Sequence, residues 1–331
     1  MPVFSRWSNS SLQTIQRCAH QFKLKYLDKN WRKPGPAAAR GISVHHVAKE
    51  THKRQMTISD LWRGSDPELV ETPGTPRSIE EARDLAATVF EKKWDDGITL
   101  SPEDLKKGKD LIKATTKDVA VDLSGFYVGT VAQTVKPVAV EREITINSAK
   151  IDATLVGYID LIEDDDGREY IRDLKSAEKK PYGFTDSNPD DKESLIRLGK
   201  SDSADNNAQL SLYTMIRFAE TKEIPYGQRL VTAVRTPSKH DMTAYVAETS
   251  RDYEDLQILG RRLRTAIKSV ESGVFLPADP GAPGTPCSWC DYAKDGTCEY
   301  VRRGPRTIPS ITKEAKTKKK TRYVDLASKE D

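Results

Sequence analysis

The sequence predicts an α/β protein, and three observations predict it. Apolar residues recur at spacings of three and four near the N-terminus, again over residues 208–220, and again over 253–273. From about residue 136 the pattern switches to alternating, β-branched runs separated by turn residues. Hydrophobic residues make up 37% of the 331 positions, enough for a core and too many for a globally disordered chain. The length allows one large domain or two ordinary ones. No run approaches the roughly 20 apolar residues of a membrane helix. The opening MPVFSRWSNSS lacks the apolar centre of a secretion signal. Four cysteines are too few for a disulfide scaffold of this size, so they are expected to be reduced.

The elements follow in order. Ser8 or Ser10 can cap a first helix, on which Leu12, Ile15, Ala19, Phe22 and Tyr26 recur at helical spacing. Cys18 falls near the middle of this expected helix. KPGPAAARG reads as a linker or turn, and a second helix is expected from about Gly41, carrying His45 and His46. IEEARDLAATVFEKKW and PEDLKKGKDLIKATTKDVA read as helices, with a break at ETPGTPRS. VKPVAVEREITI, ATLVGYIDLIED and REYIRDLKSAE read as strands, the last two joined by the turn DDDG. Residues 181–207 read as a polar loop with one short helix inside it. AQLSLYTMIRFAE is an amphipathic helix, QRLVTAVRT and MTAYVAET are strands, and YEDLQILGRRLRTAIKSVESG is a long helix.

Charge is uneven along the chain. There are 53 Lys+Arg against 50 Asp+Glu, a formal net charge of +3. Residues 302–331 alone carry +6, so the rest carries −3. This tail lacks apolar periodicity and is expected to be a disordered basic arm, either contacting nucleic acid or simply solubilising.

The hairpin holds the most informative chemistry. Asp160 lies near the end of one strand, and Asp173 and Lys175 sit two apart on the next, so these two share a face. A short turn brings Asp160 toward Asp173. Two carboxylates at one end of a hairpin repel unless a cation joins them, and hard divalent ions such as Mg²⁺ or Mn²⁺ suit them. An adjacent lysine could orient an attacking water or stabilise a phosphorane-like charge. The plain alternative is an exposed, salt-bridged hairpin. Asp164, Asp165 and Asp166 read as solvated turn residues.

Cys287 and Cys290 form a Cys-x-x-Cys pair, Cys298 follows eight residues later, and Cys18 is distant. Four thiolates suit either tetrahedral zinc or a [4Fe–4S] cluster, and spacing alone leaves both open.

Taken in order, these residues resemble the PD-(D/E)xK nuclease superfamily, and within it the RecB-like branch that carries an iron–sulfur cluster. That branch includes the AddB nuclease domain and the nucleases of CRISPR spacer acquisition. The N-terminal Ser-x-Ser-x-Leu pattern with its Cys and Phe appears as Ser8, Ser10, Leu12, Cys18 and Phe22; Ala19 stands where the family often has Pro. Gly-x-x-x-His appears as Gly41 and His45, with His46 the alternative by register. Gly157, Ile159 and Asp160 match Gly-x-Ile-Asp; Ile159 replaces the superfamily's proline. Asp173, Leu174 and Lys175 match Asp-x-Lys, and Gln209 with Tyr213 match Gln-x-x-x-Tyr, an i,i+4 pair on one helical face. The triad Cys287, Cys290 and Cys298 completes the resemblance.

The resemblance implies a restriction-endonuclease-like core: a mixed central sheet flanked by helices, with a helical insertion and a metal-cluster staple joining the N- and C-terminal parts. Residues 1–301 would be one nuclease domain, with the insertion over about 50–125 and cluster-binding segments at 8–30 and 285–300. The implied activity is Mg²⁺- or Mn²⁺-dependent hydrolysis of DNA, by an exonuclease acting on single strands or ends in recombination, repair or phage DNA metabolism. His45, Asp160, Asp173 and the Leu174 carbonyl would ligate the metal; Lys175 would activate water; Gln209 and Tyr213 would hold DNA. Glu141 is an additional carboxylate candidate beside Glu143, and the two are expected to share a strand face. Cys18, Cys287, Cys290 and Cys298 would hold [4Fe–4S]. The expected setting is a bacterial or phage-infected cytoplasm. No Gly-x-x-x-x-Gly-Lys-Ser/Thr occurs, so a helicase or recombination partner would be a separate chain. The alternative is a non-catalytic DNA-binding or adaptor module whose cysteines hold structural zinc.

Overall fold

Ser8 starts the fold with a reciprocal cap. Its side chain accepts the Ser11 amide, and the Ser11 hydroxyl accepts the Ser8 amide at 2.9 Å. The computed structural model describes residues 4–56, 78–148, 152–191, 193–236 and 241–301. The expected basic arm, the ETPGTP break and part of the expected insertion lie outside the described residues.

Strand β1 (Arg6–Trp7) precedes helix α1 (Asn9–Arg17) and helix α2 (Ala19–Phe22). Cys18 is therefore not inside a helix. It sits in extended backbone at the break, where its sulfur caps α2 by accepting the Gln21 amide. Apolar periodicity runs through this break, so periodicity alone concealed it. Helix α3 (Pro36–Gln55) begins five residues earlier than Gly41, within the expected linker. Pro at the first helical position and an alanine run both favour helix, which outweighs the Pro/Gly turn signal. Helices α4 (Ile79–Asp95), α5 (Pro102–Lys107) and α6 (Lys109–Phe126) follow, with Gly108 at φ +95 separating the last two.

Strands β2 (Pro137–Ser148), β3 (Ala153–Asp165) and β4 (Arg168–Ala177) form an antiparallel meander. The expected loop over 181–207 also contains β5 (Thr185–Asp186) and β6 (Ile196–Lys200), besides the short helix α7 (Asp202–Asp205). Both strands are short, which leaves too little alternation to reveal them, and the two-residue β5 ends the sheet with a blunted edge. Helix α8 (Ala208–Thr221), strands β7 (Gly227–Arg235) and β8 (Met242–Thr249) and helix α9 (Tyr253–Glu271) complete the first unit, residues 1–278. The second unit, residues 279–331, contains a 3₁₀ turn (Pro286–Ser288) and the short helix α10 (Asp291–Lys294).

The strands form one mixed sheet of order β1-β3-β4-β7-β8-β6-β5, with β2 also paired to β3. Helices cover both faces, as expected for a restriction-endonuclease-like core. On one face, Val44 and Ala48 of α3 and Leu123 and Phe126 of α6 pack on Leu174, Val231 and Val246. On the other, α1, α8 and α9 bring Leu12, Leu212, Ile216 and Leu263 onto Leu155, Ile159 and Ile171. Gly157 permits this approach, because a Cβ there would stand 2.7 Å from Ile216 Cδ1. Among the described residues, no helix is long and apolar enough to cross a membrane.

One edge of β3 is shared by two strands. β1 pairs with its beginning at Thr154 and Leu155, and β4 with its end from Leu161 to Asp165. Between them β3 and β4 diverge, and Asp160 lies in the fork.

Candidate functional site

In the fork, a side chain does the work of the ladder. The Leu174 amide donates to Asp160 Oδ2 at 2.9 Å. His45, presented by α3, brings Nδ1 to 3.5 Å from the same oxygen. On the facing strand β2, Glu141 falls between the partner pairs Val140–Leu161 and Arg142–Ile159 and has φ +43. That left-handed residue breaks the strand's alternation. Ala139 and Ile144 are five apart yet join one core cluster. Glu141 and Glu143 consequently diverge. Glu141 pairs with Lys49 at 2.6 Å beside His45, whereas Glu143 pairs with Arg6 at 2.9 Å at the surface. His46 lines the same open groove as His45, Lys49 and Glu141.

Asp173 is fully buried and faces Lys175, whose Nζ lies 2.7 Å from Oδ2 and 3.0 Å from Oδ1. Lys175 also donates to Gln209 Oε1 at 3.3 Å. Gln209 donates in turn to the Tyr213 hydroxyl at 2.6 Å, which fixes the orientation of its amide. Asn207 caps α8 through the Gln209 and Leu210 amides and so sets where Gln209 emerges. Tyr213 is kept protonated by burial and by the nearby Asp160 and Asp173 charges.

Burial pushes the Asp173 carboxyl up to about 6; Lys175 opposes the shift and the Asp160 charge adds to it. Its folded value lies above the ordinary 3.8, so its contribution to stability is full below that pH and is lost as pH rises through about 6. In metal-free protein, Asp173→Asn should therefore gain on the wild type by roughly 2 kcal/mol between pH 4 and pH 7. Urea unfolding across that range measures it, and a difference independent of pH would reject it.

Thus Asp173, Lys175, Gln209 and Tyr213 form one hydrogen-bonded group, Asp160 is near enough for its charge to act on Asp173 and Tyr213, and His45 adjoins Asp160 while Lys49 holds Glu141 beside it. The donor chemistry suits a hard divalent ion: two carboxylates, an imidazole and the Leu174 carbonyl's peptide. Among the described residues, however, no three His, Cys, Asp or Glu side chains are gathered closely enough to hold a metal. Ammonium groups supply the positive charge instead, Lys175 at Asp173 and Lys49 at Glu141.

The same holds for the cysteines. Cys18 Sγ accepts two backbone amides, from Gln21 and Ala278, each at 3.4 Å. In the second unit, Cys287 lies in the 3₁₀ turn, Cys290 stands at the position just before α10 and Cys298 is buried. None of the four takes part in a disulfide.

Three features were not anticipated from sequence. Asn9 donates to Gln209 Oε1 at 3.3 Å and ties α1 to the site. Lys49 follows His45 by four residues on the same helical face, a spacing that could have revealed it. Beneath the fork, Glu163 is 1% exposed and binds Arg172 and Arg229, each at 2.8 Å. Arg229 further pairs with Asp165 and Glu248 and stacks 3.8 Å over Tyr170. Asp165 is exposed beside the turn, as expected, and is also ion-paired to Arg229.

The model of the PD-(D/E)XK nuclease superfamily matches residues 6–294. Two solved structures align along most of the chain. One, from Eubacterium rectale and described as a candidate exonuclease, is 12% identical, with 93% of each chain covered and a TM-score of 0.40. The other, SSO0001, is 11% identical, with 90% of this chain and 88% of that one covered and a TM-score of 0.32. No curated protein matches the sequence.

Proposed function

The chain belongs to the PD-(D/E)XK nuclease superfamily, and from that premise we propose that it is a Mg²⁺- or Mn²⁺-dependent DNA exonuclease of the RecB-like branch. The observation that carries the reading is the buried Asp173–Lys175 pair, joined to Gln209 and Tyr213 and electrostatically linked to Asp160. A buried carboxylate with raised proton affinity beside a second carboxylate is poised for a cation.

Asp160, Asp173, His45 and the Leu174 carbonyl would hold the divalent ion, with Glu141 as an additional carboxylate. When bound, the ion would polarise the scissile phosphate and acidify water. Lys175 orients the attacking water and stabilises negative charge growing on the phosphate. Gln209 holds Lys175 in position through its Oε1, and the protonated Tyr213 supports Gln209 and can donate to a phosphate oxygen. Positioning of this kind accounts for much of the acceleration in phosphoryl chemistry. The test is digestion of end-labelled single- and double-stranded DNA with Mg²⁺, Mn²⁺ or EDTA. Shortening from ends that requires the metal supports the reading; no metal-dependent hydrolysis of either substrate rejects it.

Cys18, Cys287, Cys290 and Cys298 are proposed to hold a [4Fe–4S] cluster as a structural staple, with zinc as the rival metal. DNA is the proposed partner, with a helicase or recombination protein as a separate chain. Anaerobically purified protein should be brown and contain iron. Cys290→Ser should lose that colour and melt earlier, because metal binding couples to folding. Unchanged metal content and melting in Cys290→Ser would remove the cluster.

A further inference from the structure

An exposed tyrosine is ordinary on a protein surface. Tyr182 differs in how it is held and where. It is 79% exposed. Its neighbours Pro181 and Phe184 are buried, and the Phe184 amide donates to the Pro181 carbonyl at 3.2 Å, closing a tight turn. Gly183 occupies that turn at φ +67, where a Cβ would strike Asp202. The Tyr182 carbonyl is clamped by the Ser203 amide at 3.2 Å and the Ser203 hydroxyl at 3.3 Å. The backbone is thus fixed on both sides while the ring packs on little.

Two chain routes join this turn to the candidate site. Tyr182 follows Lys175 by seven residues, along the exit of β4. Its clamp, Ser203, precedes Gln209 by six, through α7 into α8. Phe184 anchors the turn on Leu210 and Leu230, and Leu230 is the β7 partner of Asp173. The turn that carries Tyr182 is therefore anchored, through Phe184, on the sheet face that carries Asp173 and Lys175. Lys179 and Lys180 lie on the connecting segment, both exposed and with no ion pair among the described residues.

We propose that Tyr182 is a stacking platform for an unpaired nucleobase, with Lys179 and Lys180 contacting the adjoining phosphates, so that a single strand is led to Lys175. The inference rests on the nuclease reading and names the substrate form that this site takes. A rigid aromatic with cations at its side fits single-stranded nucleic acid, because every base offers a π-face and a duplex hides it.

The test uses full-length protein, fluorescein-labelled oligothymidine and a duplex of equal length, with anisotropy in EDTA and cleavage in Mg²⁺. Tyr182→Ala should weaken single-strand binding about 5- to 100-fold, leave duplex binding unchanged, and leave the melting curve unchanged. Tyr182→Phe should retain wild-type affinity. Lys179→Ala/Lys180→Ala should reduce the salt slope by about 1.4. Wild-type protein that cleaves DNA while Tyr182→Ala binds single strands normally overturns the stacking role alone. An equal loss on single strand and duplex also overturns it. Wild-type protein that neither binds nor cleaves DNA overturns the nuclease reading with it.

Discussion

Lys175→Ala is expected to lower metal-dependent DNA cleavage by about 10²- to 10⁴-fold, the usual contribution of a positioned proton-transfer or charge-stabilising group. Its ammonium contacts both oxygens of Asp173 and reaches Gln209, so its removal takes away a charge and a hub together. The side chain is partly exposed, so the loss should leave the core packed. Removing it also leaves the buried Asp173 without its cation, which should raise that carboxyl further. Cleavage remaining in Lys175→Ala should then reach its plateau at a higher pH than in wild type. Lys175→Arg should not restore the rate, because a planar guanidinium replaces a compact point charge. Single-turnover assays with saturating DNA measure this directly. Wild-type rates in Lys175→Ala would take the lysine out of the mechanism.

Glu163→Ala should cost about 3–5 kcal/mol of stability, through an uncompensated buried charge. Arg172 is 4% exposed, and its Nε and Nη1 have no protein acceptor among the described residues, so Glu163 is the anion that neutralises it. Arg229 keeps Asp165 and Glu248 and is harmed less. Replacing both partners as Glu163→Leu/Arg172→Leu should recover most of the loss, since apolar side chains need no counterion. Urea unfolding decides. A single variant that loses under about 1 kcal/mol, or a double variant no better than the single, would show that the pair is not a buried-charge problem.

The hairpin was legible because its alternation, its DDDG turn and its Asp-x-Lys spacing all specify one register. The α8 pair was legible for a similar reason, an i,i+4 spacing on an amphipathic helix. What escaped was set by contacts remote in sequence or by single backbone angles. Glu163 reads as one more acid before a turn, yet two arginines from different strands bury it. Cys18 lies in unbroken helical periodicity, and only its extended backbone reveals the cap. Glu141 belongs to a regular-looking strand, and nothing local announces its positive φ. Asn9 reaches Gln209 across 200 positions.

The fork between β3 and β4 also bears on how an inactive form should be made. Asp160 is a wedge: its carboxylate receives the Leu174 amide, which would otherwise be left with no acceptor between the parted strands. Asp160→Ala would orphan that amide and let the fork collapse, so an inert product would report misfolding as readily as lost chemistry. Asp160→Asn keeps an oxygen for the amide and removes only the charge. For a DNA-trapping variant that preserves the shape of the cleft, Asp160→Asn or Lys175→Ala is the sound choice.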